Sequence, residues 1–192
     1  MTKKIYQWMV DSAAKKNALW ILAAISFIES SFFPIPPDIM LIPMVIAAPS
    51  KAWRIAFVAT AASVIGGYFG YAIGFWGYDL IARPLLEFYG YLGKFEIFKE
   101  YYNEYGAWIV FAAGITPFPY KVITIASGAV SLNLLVFGVA SVFARGLRFF
   151  IIAGLLYYYG APIKNFIEKH FGVLSILFFI LLVGGFVLLK YM

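Results

Sequence analysis

The sequence predicts an all-α integral membrane protein. The expected architecture is a helical bundle with two opposed, proline-containing re-entrant hairpins related as an inverted repeat, plus amphipathic interfacial helices. Three observations carry this expectation. The 192-residue chain is 64% hydrophobic and 12% charged, against ~25% charged residues in an ordinary soluble domain. Uncharged windows at residues 55–78, 122–144 and 171–189 approach or exceed the ~20 residues that cross a bilayer as a helix. Prolines cluster where the chain is otherwise apolar, in "PIPPD" at residues 34–38 and "TPFPYK" at residues 116–121.

Taken in order, residues 1–17 read as an amphipathic helix on the membrane surface. Ile5, Trp8, Met9 and Ala13 share a face flanked by lysines. Residues 18–50 read as the first hairpin. Its apolar arm, residues 18–28, is too short to span ~30 Å as a helix. Glu29, Pro34, Pro36, Pro37 and Asp38 follow, then a second arm broken by Pro43. Backbone groups freed by these prolines must be shielded by protein or face a water-filled cavity.

Residues 52–78 are long enough to span. Their Gly66, Gly70 and Gly74 recur every fourth position, a stripe that lets another helix approach closely. Intramolecular packing, a homodimer through this face and a substrate-lining groove are all compatible with it. Residues 79–105 hold much of the charge and read as an interfacial segment, with Phe95, Phe98, Tyr102 and Tyr105 on one face. Residues 106–132 repeat the first pattern: a short apolar arm, a tip with Pro117 and Pro119, and a small-residue arm. Two such modules in series suggest the internal repeat of a transporter, with Pro34, Pro36, Pro37, Pro117 and Pro119 as gating tips. Residues 133–160 and 171–190 read as two further spanning helices, so that residues 1–192 form one membrane domain.

Crossings counted this way put Lys3, Lys4, Lys15, Lys16, Lys51, Arg54, Lys164 and Lys169 on one side and Arg83, Lys94, Lys99 and Lys190 on the other. The richer side, with the N-terminus, is expected in the cytoplasm. The apolar run after Lys16 has no small-residue cleavage site, so it is expected to stay in the mature protein. The net charge of +6 is read as attraction to anionic lipid, and no nucleic-acid partner is expected.

The composition also excludes chemistry. With no cysteine and a single histidine, His170, neither thiol catalysis nor a Cys/His metal cluster is available, and His170 reads as a juxtamembrane residue. No Gly-x-Ser-x-Gly, P-loop or His-Glu-x-x-His motif occurs. No enzymatic activity, cofactor or metal is expected.

Charges at membrane depth are costly and mark function. The candidates are Glu29, Asp38, Lys121, Arg145 and Arg148. Arg145 and Arg148 lie three residues apart, near one helix face, where two guanidinium groups suit a phosphate. With Lys121 they are the expected headgroup-binding residues. Glu29 and Asp38 are the candidates for proton or sodium coupling and would neutralise the arginines when no substrate is bound. The plainer alternatives are an arginine–carboxylate lock on the first hairpin, Lys121 snorkelling to the interface, and Asp38 capping the arm after Pro37.

Glu29, "PIPPD" at residues 34–38, "GGYFGYAIG" at residues 66–74 and "GITPFPYKVITIASGA" at residues 114–129 together resemble the DedA superfamily of membrane proteins. This is also called the SNARE-associated or VTT-domain family, and the match looks like its YqaA-type branch. The resemblance covers residues 18–160. It implies opposed re-entrant hairpins in a prokaryotic plasma (inner) membrane. It also implies transfer of a lipid between leaflets, by flippase or scramblase action. The implied lipids are undecaprenyl phosphate or phosphatidylethanolamine, with proton or sodium coupling, and the family's acidic pair falls on Glu29 and Asp38. The sequence departs from the family's Phe-x-Arg-x-x-Pro-x-x-Arg pattern. Ala113 stands where the first arginine would be, and Tyr120 or Lys121 lies near the second; Arg145 and Arg148 are the candidates to replace them. The alternatives to lipid transport are ion-coupled transport of a small soluble substrate and a non-transporting role in envelope assembly.

Overall fold

The computed structural model describes Ser12, Ala13 and residues 15–33, 35–116 and 118–160. The expected helices at residues 1–17 and 171–190 fall wholly or mainly outside these residues, as do Pro34, Pro117 and His170. Within them the chain is helical, with no strand. Helix α1 is Ala18–Ser31 and α2 is Asp38–Ala47; a 3-10 turn, Pro49–Lys51, leads into α3, Ala52–Gly77. A π turn, Tyr78–Ala82, and a short α4, Arg83–Phe88, follow. Then come α5, Leu92–Ile115, α6, Tyr120–Ala129, and α7, Leu134–Tyr159.

Lengths sort these helices. At ~1.5 Å per residue, α3 and α7, 26 residues each, reach ~39 Å and exceed the hydrocarbon core. The stretches Pro49–Phe88 and Leu134–Tyr159 are both long and apolar enough to cross a membrane. Helices α1, α2 and α6, with 14, 10 and 10 residues, reach only ~15–21 Å. Each of the two proline-containing breaks thus joins a helix to a ten-residue partner, and a 26-residue helix follows.

The segment boundary expected near residue 105 is not a boundary in the fold. Helix α5 runs through it for 24 residues. Charged residues in its first half mimic a separate surface segment, but no proline interrupts the backbone hydrogen bonds. Gly106 gives no break either, because it is buried where a Cβ would meet the side chain of Leu132.

Two apolar clusters hold the bundle. One joins α1, α2, α3 and α7 through residues such as Leu22, Leu41, Val45, Ala59 and Phe149. The other joins α3, α5, α6 and α7 through Tyr71, Val110, Tyr120 and Phe137. Around them the surface is greasy: Trp20, Phe57, Ile65, Trp76, Leu135 and Phe143 are each more than 60% exposed. Apolar surface on this scale suits lipid rather than water.

The glycine stripe of α3 is used inside the chain. A Cβ at Gly66 would overlap the backbone carbonyl of Phe27 in α1, and one at Gly74 would overlap that of Ile125 in α6. Gly70 lies between them, against Thr124 and the Ser30 carbonyl. One helix face thereby carries both α1 and α6 at backbone contact distance.

Candidate functional site

The site grows from the two breaks. A helix that ends inside the protein leaves carbonyls without intrahelical partners. At the end of α1, the Thr124 hydroxyl donates to the Ser30 carbonyl at 2.9 Å and Lys121 Nζ donates to the Phe32 carbonyl at 3.4 Å. The Ser31 hydroxyl has two acceptors for its one proton, the Phe27 carbonyl of its own helix at 2.6 Å and the Gly66 carbonyl of α3 at 3.0 Å. At the end of α5, Arg148 Nη1 donates to the carbonyls of Thr116 at 2.8 Å and Ile115 at 3.3 Å. Cations at helix C-termini are also favoured by the helix dipole.

Two ion pairs sit beside these breaks, bringing four sequence-predicted residues together. Arg145 Nη2 donates to Glu29 Oε2 at 2.7 Å, and Arg148 Nη2 donates to Asp38 Oδ2 at 2.5 Å. The Arg145 side chain is 3% exposed and the other three lie between 11% and 13%. Each charge is therefore matched by its opposite, as burial requires. The pairs cross the chain: α7 reaches α1 through Arg145 and the start of α2 through Arg148.

Arg145 is held on every side. Its Nε donates to Ser63 Oγ at 2.6 Å. Ser63 Oγ is 2.6 Å from Ser30 Oγ, which in turn donates to Glu29 Oε2 at 3.1 Å. The rings of Tyr120 and Phe149 lie 4.9 Å and 4.8 Å from its guanidinium carbon, within cation–π range. Tyr120 is fixed by donating to Ser141 Oγ at 2.5 Å.

Asp38 does not cap α2. Pro37 occupies the cap position without a side-chain bond, and Asp38 is the first helical residue. Its carboxylate is drawn instead to Arg148, where a charge-assisted bond outweighs a cap contact. Its other oxygen, Oδ1, is buried with no hydrogen-bond partner. Pro36 and Pro37 shape the approach to this residue, with the Pro37 carbonyl accepting from Met40 and Leu41. Pro119 is extended, at φ −60° and ψ 103°, and α6 starts directly after it.

Lys121 stands apart from both ion pairs, bonded to α1 as described. Ser30, Ser63, Tyr120, Thr124 and Phe149 complete the network and were not foreseen in these roles; their signal is polar or aromatic groups on small-residue helix faces. Among the described residues, no cluster of three or more His, Asp or Glu side chains could hold a metal ion.

A family model described as the VTT domain matches residues 35–158. An uncharacterized protein of Haemophilus influenzae is 34% identical over 191 residues, covering 97% of this chain and 99% of that protein. An uncharacterized protein of Histophilus somni is 36% identical over 166 residues, covering 86% and 83%. No solved structure matches the chain. With two membrane-length apolar helices and a match across most of its length, the chain belongs to the VTT-domain family, the domain of the DedA superfamily.

Proposed function

We propose that this protein is a membrane transporter, a flippase or scramblase, that moves a phosphate-bearing lipid between leaflets of the prokaryotic plasma membrane. Undecaprenyl phosphate and phosphatidylethanolamine are the leading substrates. The observation that carries the reading is the pair of buried arginine–carboxylate contacts that tie the continuous α7 to the two arms of the first break. A soluble core seldom keeps four such charges, whereas intramembrane charges mark transport paths.

In this reading the two breaks are the tips of opposed re-entrant hairpins forming an inverted repeat. The headgroup enters between them and the hydrocarbon tail stays in the bilayer. The N-terminus lies in the cytoplasm. The carboxylates neutralise the arginines at rest. When a phosphate takes over a guanidinium, the released carboxylate is left buried and unpaired, a costly state. A proton or sodium ion that neutralises it would couple transport to a gradient.

Leaflet-to-leaflet movement of polyprenyl phosphate and phosphatidylethanolamine in proteoliposomes tests the proposal, with and without a pH gradient. Wild type is expected to move at least one lipid. Arg145→Ala with Arg148→Ala is expected to abolish movement in folded protein. Full transport by that double variant would sink the mechanism. If water-soluble anions rather than lipids were carried, the soluble-substrate reading would replace this one. No transport of any kind, with Glu29→Gln and Asp38→Asn leaving cellular function intact, would favour a role in envelope assembly.

A further inference from the structure

The two arginines are not equivalent, and the geometry points to Arg148 as the one that exchanges its carboxylate for an anionic phosphate, with Arg145 as a fixed anchor. This inference rests on the transport reading above and assigns its headgroup contact. Arg145 is 2% exposed. It is bonded to Glu29 and Ser63 and bracketed by the rings of Tyr120 and Phe149. An anion that displaced Glu29 would also have to break the serine contacts and enter between two aromatic side chains. Glu29 is itself held in place by Ser30.

Arg148 is placed differently. It lies between the first residue of α2 and the carbonyls that end α5, so it touches both breaks at once. Its carboxylate partner is held on one side only, because Asp38 Oδ1 is buried with no hydrogen-bond partner. A phosphate presents several acceptor oxygens to one guanidinium, so it can displace a carboxylate bound through a single oxygen. While Arg148 keeps its bonds to Ile115 and Thr116, transfer of its Nη2 from Asp38 to phosphate frees the α2 end from the α5 end. Binding of the headgroup and uncoupling of the two breaks are then one event.

Competition supplies the test, since a carboxylate that occupies the phosphate position must weaken phosphate binding. Equilibrium binding of polyprenyl phosphate to the full chain in detergent micelles would be measured, with unphosphorylated polyprenol and inorganic phosphate as separate arms. Asp38→Asn keeps the shape but removes the competing charge; it is expected to tighten polyprenyl phosphate binding about tenfold, and Asp38→Glu to return it to the wild-type value. Arg148→Lys, which loses the forked geometry, is expected to weaken binding about tenfold. Glu29→Gln is expected to tighten binding far less than Asp38→Asn does, and Arg83→Ala, exposed at the start of α4 and outside the site, is expected to leave it within about twofold of wild type, with monodispersity and thermal unfolding confirming that each variant is folded. Tighter binding in Glu29→Gln and none in Asp38→Asn would overturn the assignment, and so would unchanged binding in Arg148→Lys. Wild-type protein that binds none of the three probes would overturn the Arg148 phosphate site, and if proteoliposomes carrying it also move neither polyprenyl phosphate nor phosphatidylethanolamine, the transport reading falls with it. Displacement by inorganic phosphate with the same variant pattern would keep the Arg148 site and assign its natural ligand to soluble anions.

Discussion

The two breaks solve one problem in different ways. At the end of α1, the loose carbonyls are met by Thr124 and Lys121 of α6, while Ser31 ties α1 itself to α3. Two side chains share the task, one of them a neutral hydroxyl, and a second hydroxyl, that of Ser31, adds a tie to α3. At the end of α5, the carbonyls of Ile115 and Thr116 are both met by Arg148, which also holds Asp38. The first break is a distributed joint; at the second, Thr116 Oγ1 donates locally to the Ala113 carbonyl at 3.2 Å, and the terminal carbonyls are linked to another helix through one charged side chain. A distributed joint tolerates loss of any one member, and a single charged link can be opened by a competitor.

That contrast can be broken most severely at Arg148. Arg148→Ala strands the Asp38 carboxylate and two carbonyls, and is expected to destabilise the protein by about 3–5 kcal/mol, measured by equilibrium unfolding in micelles. Gly66→Val attacks the other joint through its seat on α3. The added side chain overlaps the Phe27 carbonyl, and a loss of about 1–3 kcal/mol is expected, read in the same unfolding curves. Thr124→Val removes one neutral bond to Ser30 and is expected to cost about 1–2 kcal/mol. Lys121→Met is the mildest: Nζ makes a long contact on the exposed side of α1, so a change under about 1 kcal/mol is expected. If Thr124→Val matched Arg148→Ala in cost, the distinction between the two joints would be lost.

Much of this was legible in the sequence for a simple reason: proline and charge are loud in an apolar chain. The breaks at residues 34–37 and 117–119 follow from side chains that cannot sustain a helix, and the spanning lengths of α3 and α7 follow from uncharged runs. The types of residue in the ion pairs were legible as well, since Glu29, Asp38, Arg145 and Arg148 have few other uses at such positions. Which acid meets which arginine was not, because each pair crosses more than a hundred residues of chain and depends on how α7 lies against α1 and α2. The continuity of α5 was obscured by its charges: Glu96, Lys99, Glu100 and Glu104 mark a change of environment, which periodicity alone does not separate from a change of element. The seat of Arg145 was hidden for the opposite reason. Ser63 and Phe149 look like ordinary packing residues until a guanidinium is found between them.

The rail of glycines on α3 has a consequence for how this protein varies. Gly66 and Gly74 touch no charge and donate to no substrate, yet each faces another helix's backbone with no room for a single added carbon. In a survey of tolerated substitutions they would stand out beside the arginines, and a map of sensitive positions would draw one line down α3 and another down α7. Only the second line would answer to a conservative exchange of charge. Size alone would govern the first, so alanine would already be too large there, and no change elsewhere on the side-chain surface would restore it.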